Sequence, residues 1–226
     1  MEERLFSGLR EVLGRDAGAA ETDEDPEPAR EPSTREVEFT AYTEDCRLFG
    51  FLTLSADRLS DVLNEQQQFA LDSVLLVALA DNRAVEMTEL VVDRDELVAI
   101  RGAGPRGNAA RRIRTRASPV AVKAGPYLIR GYVHGPPGGD ALRRFRGSRP
   151  MVPLTEAAIE YQAGGALHRA RVGSIIVNTG FIDWVDRAKD TDVRVDLPVE
   201  MRIDPRAKDM TGNVRLAPRP VVTEAE

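Results

Sequence analysis

The chain has 226 residues, 30% of them charged and 42% hydrophobic, the balance of an ordinary globular protein rather than of a disordered tail. No run approaches the roughly 18 apolar residues of a membrane-spanning helix, Glu2 and Glu3 precede no apolar stretch that a signal peptide would need, and the lone Cys46 cannot form an internal disulfide, so the cytoplasm is the expected compartment. The net charge of −6 conceals an asymmetry: residues 1–101 sum to −14, residues 102–187 to +9, and the remainder to −1, so one half can attract the other, a neighbouring copy or a polyanion.

Residues 1–16 read as an amphipathic helix, with Leu5, Phe6, Leu9, Val12 and Leu13 on one stripe. At about three turns it needs a surface to dock on, either its own domain or a protein partner. Anionic lipid is disfavoured, because Glu2, Glu3, Glu11 and Asp16 outweigh the local bases. Residues 17–36 are acidic, rich in Ala and Pro, and without apolar periodicity, which predicts a disordered linker. From 37 to 101 the pattern is that of short strands. Val37, Phe39 and Ala41 alternate with polar residues, as do Leu48 to Leu54 around Gly50. Asp57 is placed to cap a short helix through Leu59, Val62 and Leu63, with Asn64 as its stop. Strands are predicted from Phe69 to Leu79, Val85 to Val92 and Leu97 to Ile100, with a turn at Asp81-Asn82.

Residues 119–187 retrace this order. Cys46, Leu48, Gly50 and Leu52 match Tyr127, Ile129, Gly131 and Val133. Leu59, Phe69 and Leu71 match Leu142, Val152 and Leu154, and Val91–Ile100 matches Ile176–Val185. Two small insertions raise the offset from 81 to 83 and then to 85. The spacing is too long for a solenoid, so the reading is domain duplication. Short strands leave edges, and a small barrel closes them. The stretch Arg58-Leu59-Ser60-Asp61-Val62-Leu63-Asn64, followed by Phe69 and by Val92-Asp93-Arg94-Asp95, resembles a poorly characterised bacterial family of small Sm-like (SH3-like) β-barrels. That resemblance implies a mainly β fold of two barrel units, each with an inserted helix, and implies no activity. In the second copy Ala141–Gly147 replaces the signature. Residues 102–118 read as a Gly/Arg-rich linker and 188–226 as an extended tail. Within the tail, 193–203 alternates like a strand but is broken by Pro198, as in an edge strand.

Chemical motifs are scarce. Gly102-Ala-Gly104-Pro-Arg-Gly107 matches G-x-G-x-x-G in letters, but no acid follows about 20 residues on and Ser118-Pro119 breaks any crossover helix, so it reads as linker. His134, His168 and Cys46 stand apart and form no metal spacing. Asp93, Asp95 and Glu96 read as a solvated corner. No catalytic triad assembles, and no cofactor or enzymatic activity is expected. The remaining candidate is basic: Arg111, Arg112, Arg114 and Arg116 in the linker, with Arg143, Arg144, Arg146 and Arg149 in the second unit. Clustered guanidiniums grip phosphates, which makes RNA or DNA one possible partner. They equally suit pairing with the acidic first unit. Phe145 is the one nearby aromatic for base stacking, with Tyr127, Tyr132 and Trp184 read as core. The expectation is a non-enzymatic assembly or adaptor protein that self-associates or docks a protein partner through the N-terminal helix, with nucleic-acid binding as the alternative.

Overall fold

A computed structural model of the chain describes residues 34–56, 58–102 and 114–208. The predicted helix over 1–16, the proposed cap Asp57, and Arg111 and Arg112 lie outside them. The structure is mainly β, with one antiparallel sheet of ten strands. In chain order these are β1 (Arg35–Tyr42), β2 (Cys46–Leu54), helix α1 (Leu59–Glu65), β3 (Gln68–Ala78), β4 (Ala84–Asp93) and β5 (Ala99–Arg101). They continue as β6 (Arg116–Ala124), β7 (Tyr127–Gly135), β8 (Met151–Ala163), β9 (Ala166–Asn178), β10 (Ile182–Arg187) and the helical turn α2 (Asp190–Val193). Two boundaries move outward from expectation. β1 takes Arg35 and Glu36 from the acidic linker, and β6 takes residues 116–118 from the basic one. Both gains are ladder pairing: Arg35 lies opposite Leu54 and Arg116 opposite Gly135.

Across the sheet the order is β10-β6-β7-β8-β9-β5-β1-β2-β3-β4. The fifth strand of each half therefore lies beside its first, and one arrangement is used twice. Local irregularities recur with it. Gly50 and Gly131 sit where β2 and β7 shift register against β3 and β8. A Cβ on Gly50 would lie 3.3 Å from the Asp72 carbonyl oxygen, and one on Gly131 would lie 3.2 Å from the Thr155 carbonyl oxygen. Opposite them, Ser73 and Glu156 both adopt positive φ (51° and 50°). The glycine that recurs in the sequence is thus the flat partner of a β-bulge, where a side chain would crowd the bulged strand.

Two large apolar clusters are drawn mainly from one half each, with Met151 and Ile176 of the second half joining the first, and Tyr42, Leu79, Val98 and Ala99 of the first half joining the second. One gathers Phe39, Leu54, Leu63, Phe69, Leu71 and Ile100. The other gathers Val122, Ile129, Leu154, Ile159, Ile175 and Val177. Leu59, Val62 and Leu63 of α1 face inward as the spacing predicted. Asn64 does not stop the helix, which runs on to Glu65 with Gln66 as its cap. Phe145, the proposed stacking aromatic, is 8% exposed and packs into the second cluster.

The tail corrects a further expectation. Residues 190–193 form a helical turn, and the predicted strand over 193–203 reduces to a single parallel bridge between Val199 and Arg171. Pro198 carries no N–H, so only its carbonyl joins, accepting from Arg171 N at 2.8 Å, while Glu200 N donates to Arg171 O at 2.8 Å. Beyond this the tail straps the first half. Ile203 covers Phe49, Leu75 and Val77. The Arg206 guanidinium stacks 3.7 Å over the Phe51 ring and grips Glu36 through two bonds of 2.7 Å. Arg202 reaches Glu38 and Lys208 reaches Glu86. Among the described residues, then, the acid of the first half is met by the tail, and no ion pair joins it to Arg143, Arg144, Arg146 or Arg149. Charge counted along the chain did not show which cations fold back in space. Among the described residues no helix is long and apolar enough to cross a membrane.

Candidate functional site

The two halves meet along a short strand seam. β5 pairs with β9, placing Ala99 opposite Val177, Ile100 opposite Ile176 and Arg101 opposite Ile175. The ladder extends at both ends, with Asn178 N donating to Val98 O (3.0 Å) and Gly102 N to Ser174 O (2.7 Å). Asn178 is the buried polar residue at this seam, 4% exposed. Its Nδ2 donates to the carbonyls of Arg94 (3.1 Å) and Leu97 (3.0 Å), and its Oδ1 accepts from Gly180 N (3.0 Å). It thus closes its own turn and ties it to the corner of the first half. Its counterpart 85 residues earlier, Asp93, sits at the solvated corner that the sequence predicted, where its N–H donates to Glu96 Oε2 at 3.3 Å.

Asn64 clamps the seam a second time. Its Nδ2 donates to Met151 O (3.2 Å) and its Oδ1 accepts from Met151 N (3.1 Å), so the side-chain amide acts as one more strand partner for the start of β8. The hairpin between β8 and β9 then reaches back. Gly164 and Gly165 both take positive φ (54° and 77°), the two-residue turn that suits strand twist, and Gly164 N donates to Leu79 O at 2.7 Å.

Three tyrosines fill the join. Tyr42 and Tyr127 stand edge to face at 5.4 Å, and Tyr127 and Tyr161 at 5.5 Å. Tyr42 OH donates to the Glu200 carboxylate, Tyr161 OH donates to Glu200 Oε1 (3.4 Å), and Arg47 Nη1 donates to Tyr161 OH (3.1 Å). Burial and the Glu200 charge hold the Tyr42 hydroxyl well above the usual phenol range, and burial pushes Tyr161 up to about 12 against the opposing Arg47 charge. A raised folded-state value contributes stability that is whole below pH 10 and is lost as pH climbs towards 12. Alkali should therefore loosen the join between pH 10 and 12, with Tyr161 alone worth on the order of 3 kcal/mol. Urea unfolding at pH 8 and pH 11.5 checks this, and Tyr161→Phe should remove its share of the dependence while Tyr42 and Tyr127, also raised by burial, keep theirs.

Among the described residues the strand order ends on β4 and on β10. Their exposed faces are apolar at the positions where the seam is dry. Val91 of β4 is 58% exposed, while its counterpart Ile176 on β9 is 4% exposed. Trp184 of β10 is 48% exposed, while its counterpart Ala99 on β5 is fully buried. Trp184, read from the sequence as core, is therefore an edge residue. Neither edge was singled out in the sequence, although an apolar Val85, Met87, Val91 row on one strand was there to be read.

Of the predicted arginines, Arg114 and Arg116 are exposed where β6 begins. Arg143, Arg144 and Arg149 line a cleft of about 480 Å3 with Arg58, Asp61 and Asn64 of the first half. Arg146, from the same turn, is exposed and is not among the lining residues. Arg58, which the sequence places in the Sm-like signature and not in the basic cluster, lies 85 positions from Arg143 and joins it only in space. The histidines serve the fold. His134 Nε2 is 2.8 Å from Thr155 Oγ1, and His168 stacks on Tyr161 at 5.3 Å. Cys46, its thiol pushed up by burial, lies 3.1 Å from Thr43 Oγ1. Among the described residues no group of three or more His, Cys, Asp or Glu side chains could hold a metal ion.

Comparison with known protein families, with curated proteins and with solved structures finds no match to this chain, so its chemistry rests on its own residues.

Proposed function

We propose that the chain is a tandem pair of small Sm-like β-barrels whose role is non-enzymatic assembly, joining copies head to tail through β10 of one chain and β4 of the next. One observation carries the reading. The seam inside the chain pairs a fifth strand (β5) with a fourth strand (β9), and among the described residues the sheet ends on another fifth strand (β10) and another fourth strand (β4). Carried over by the offset of 85, the seam register puts Trp184 opposite Val92, Val185 opposite Val91 and Asp186 opposite Leu90. Val91 and Trp184 are the exposed apolar residues that such a junction would cover.

This pairing is heterologous, so it generates a ring or a filament rather than a two-fold dimer. The intermolecular junction would also be weaker than the internal one. Asn64 corresponds to Gly147, and Gly147 has no side chain to clamp the neighbouring strand. Reversible assembly in the micromolar range is the expectation.

Sedimentation velocity of nuclease-treated full chain across a concentration series tests this, at low and at high salt. The expected result is a salt-tolerant, concentration-dependent series of multimers that persists when residues 1–16 are deleted. A monomer at every concentration overturns the reading. Multimers that vanish on that deletion transfer assembly to the Leu5, Phe6, Leu9, Val12, Leu13 stripe. Nucleic acid that co-sediments at low salt and is released at high salt moves the weight to the alternative, a nucleic-acid-binding regulator.

A further inference from the structure

We propose that the cleft between α1 and the segment leading into β8 is a binding site for a compact phosphate anion of the pyrophosphate type. The cleft is open to solvent, has a volume of about 480 Å3 and draws its walls from both halves of the chain. Arg58 comes from the residue preceding α1. Arg143 and Arg144 come from the 3-10 turn Ala141–Arg146, and Arg149 from the turn before β8. Among the described residues none of these four guanidiniums makes an ion pair with a carboxylate.

Two carboxylates also line the cleft, Asp61 and Asp140. Asp140 is already occupied, since it accepts from Leu142 N (3.2 Å) and is bridged by Arg187 (3.2 Å), and together these contacts hold its carboxyl below the usual range. Among the described residues that leaves the Asp61 carboxylate against four guanidiniums that make no ion pair. Like charges converging on one concavity repel, and an anion held among them relieves the repulsion while each planar fork donates two bonds. The Asn64 amide, fixed by Met151, is a further lining group and keeps the two walls in register.

A compact anion fits better than a nucleic-acid strand. The lining residues include no aromatic ring for bases to stack on, Phe145 being buried in the second cluster. The site lies on the seam within one chain, so it stands or falls apart from assembly at β4 and β10.

Calorimetric titration of the full chain with inorganic pyrophosphate at low salt tests the proposal. One saturable site per chain is expected, weakened about tenfold by each of Arg143→Ala and Arg149→Ala and about a hundredfold by the pair. Arg83→Ala, an exposed cation paired with Asp81 elsewhere, should change affinity less than about twofold. The proposal fails if pyrophosphate shows no saturable binding, or if Arg83→Ala weakens it as much as Arg143→Ala does. It fails also if a single-stranded 12-mer RNA binds through these arginines and pyrophosphate does not displace it, since the surface then serves a strand.

Discussion

Replacing Val91 by Lys should abolish the proposed head-to-tail assembly and leave a folded monomer. Val91 is 58% exposed on a strand that, among the described residues, has a strand neighbour on one side, so the folded monomer solvates a lysine there at little cost. At the proposed junction the same side chain would face Val185 on the strand that carries Trp184. Burying an unpaired ammonium at that point opposes pairing, the device by which natural sheets keep their edges apart. Central apolar contacts of this kind dominate association, so a loss of about 2 kcal/mol or more, roughly 30-fold in affinity, is expected. Analytical ultracentrifugation reads the association, and thermal unfolding reads the fold. A Val91→Lys chain that sediments like the parent would place the contact elsewhere.

The largest effect on stability is expected at Asn178. Its amide hydrogens satisfy two carbonyls, at Arg94 and Leu97, inside a seam where the residue is 4% exposed. Asn178→Asp keeps the shape and the bond accepted from Gly180 N, but it replaces the donors with a carboxylate facing two carbonyl oxygens. Uncompensated buried charge of this kind costs about 3 to 5 kcal/mol. The substituted carboxyl would hold its proton to higher pH than usual, because the protonated form can donate to one of the two carbonyls. The deficit should therefore be full at neutral pH and shrink as pH falls towards 4, opposite in sign to ordinary acid destabilisation. Urea unfolding at pH 7 and pH 5 measures both. An Asn178→Asp chain as stable as the parent at pH 7 would mean that this amide does not tie the two halves.

Much of the strand order was legible because strand faces alternate and turns use few residue types. Val37, Phe39 and Ala41, and then Leu48, Leu52 and Leu54, follow the period-two spacing and lie in the core of the first half. The recurring Gly50 and Gly131 were visible as a pair, but their cause lies across the strand, in the positive φ of Ser73 and Glu156. A β-bulge depends on the partner strand and leaves no periodic mark on its own.

What could not be read is what depends on distance in space. The Val193 to Ile203 alternation has the form of a strand, yet β9 offers this segment a single bridge at Arg171, and the side chains of Val195, Val199 and Met201 stay exposed. Arg206 stood in a nearly neutral tail with nothing to mark its grip on Glu36 and Phe51. The basic cluster was divided for the same reason. Arg143, Arg144 and Arg149 share a cleft with Arg58, while Arg114 and Arg116 lie at the start of β6. Trp184 reads as core in the sequence, yet it lies on β10, where the described sheet ends, and is 48% exposed.

The most direct measurement mixes two blocked chains. Val91→Lys closes the β4 edge and leaves β10 free. Trp184→Asp closes the β10 edge, setting an acid against a strand that carries Glu86 and Glu89, and leaves β4 free. Each variant alone should sediment as a monomer. An equimolar mixture should give a one-to-one heterodimer and nothing larger, because one productive pair of edges remains. Either variant forming a homodimer alone, or a mixture that stays monomeric while the parent chain assembles, would contradict head-to-tail pairing of β10 with β4.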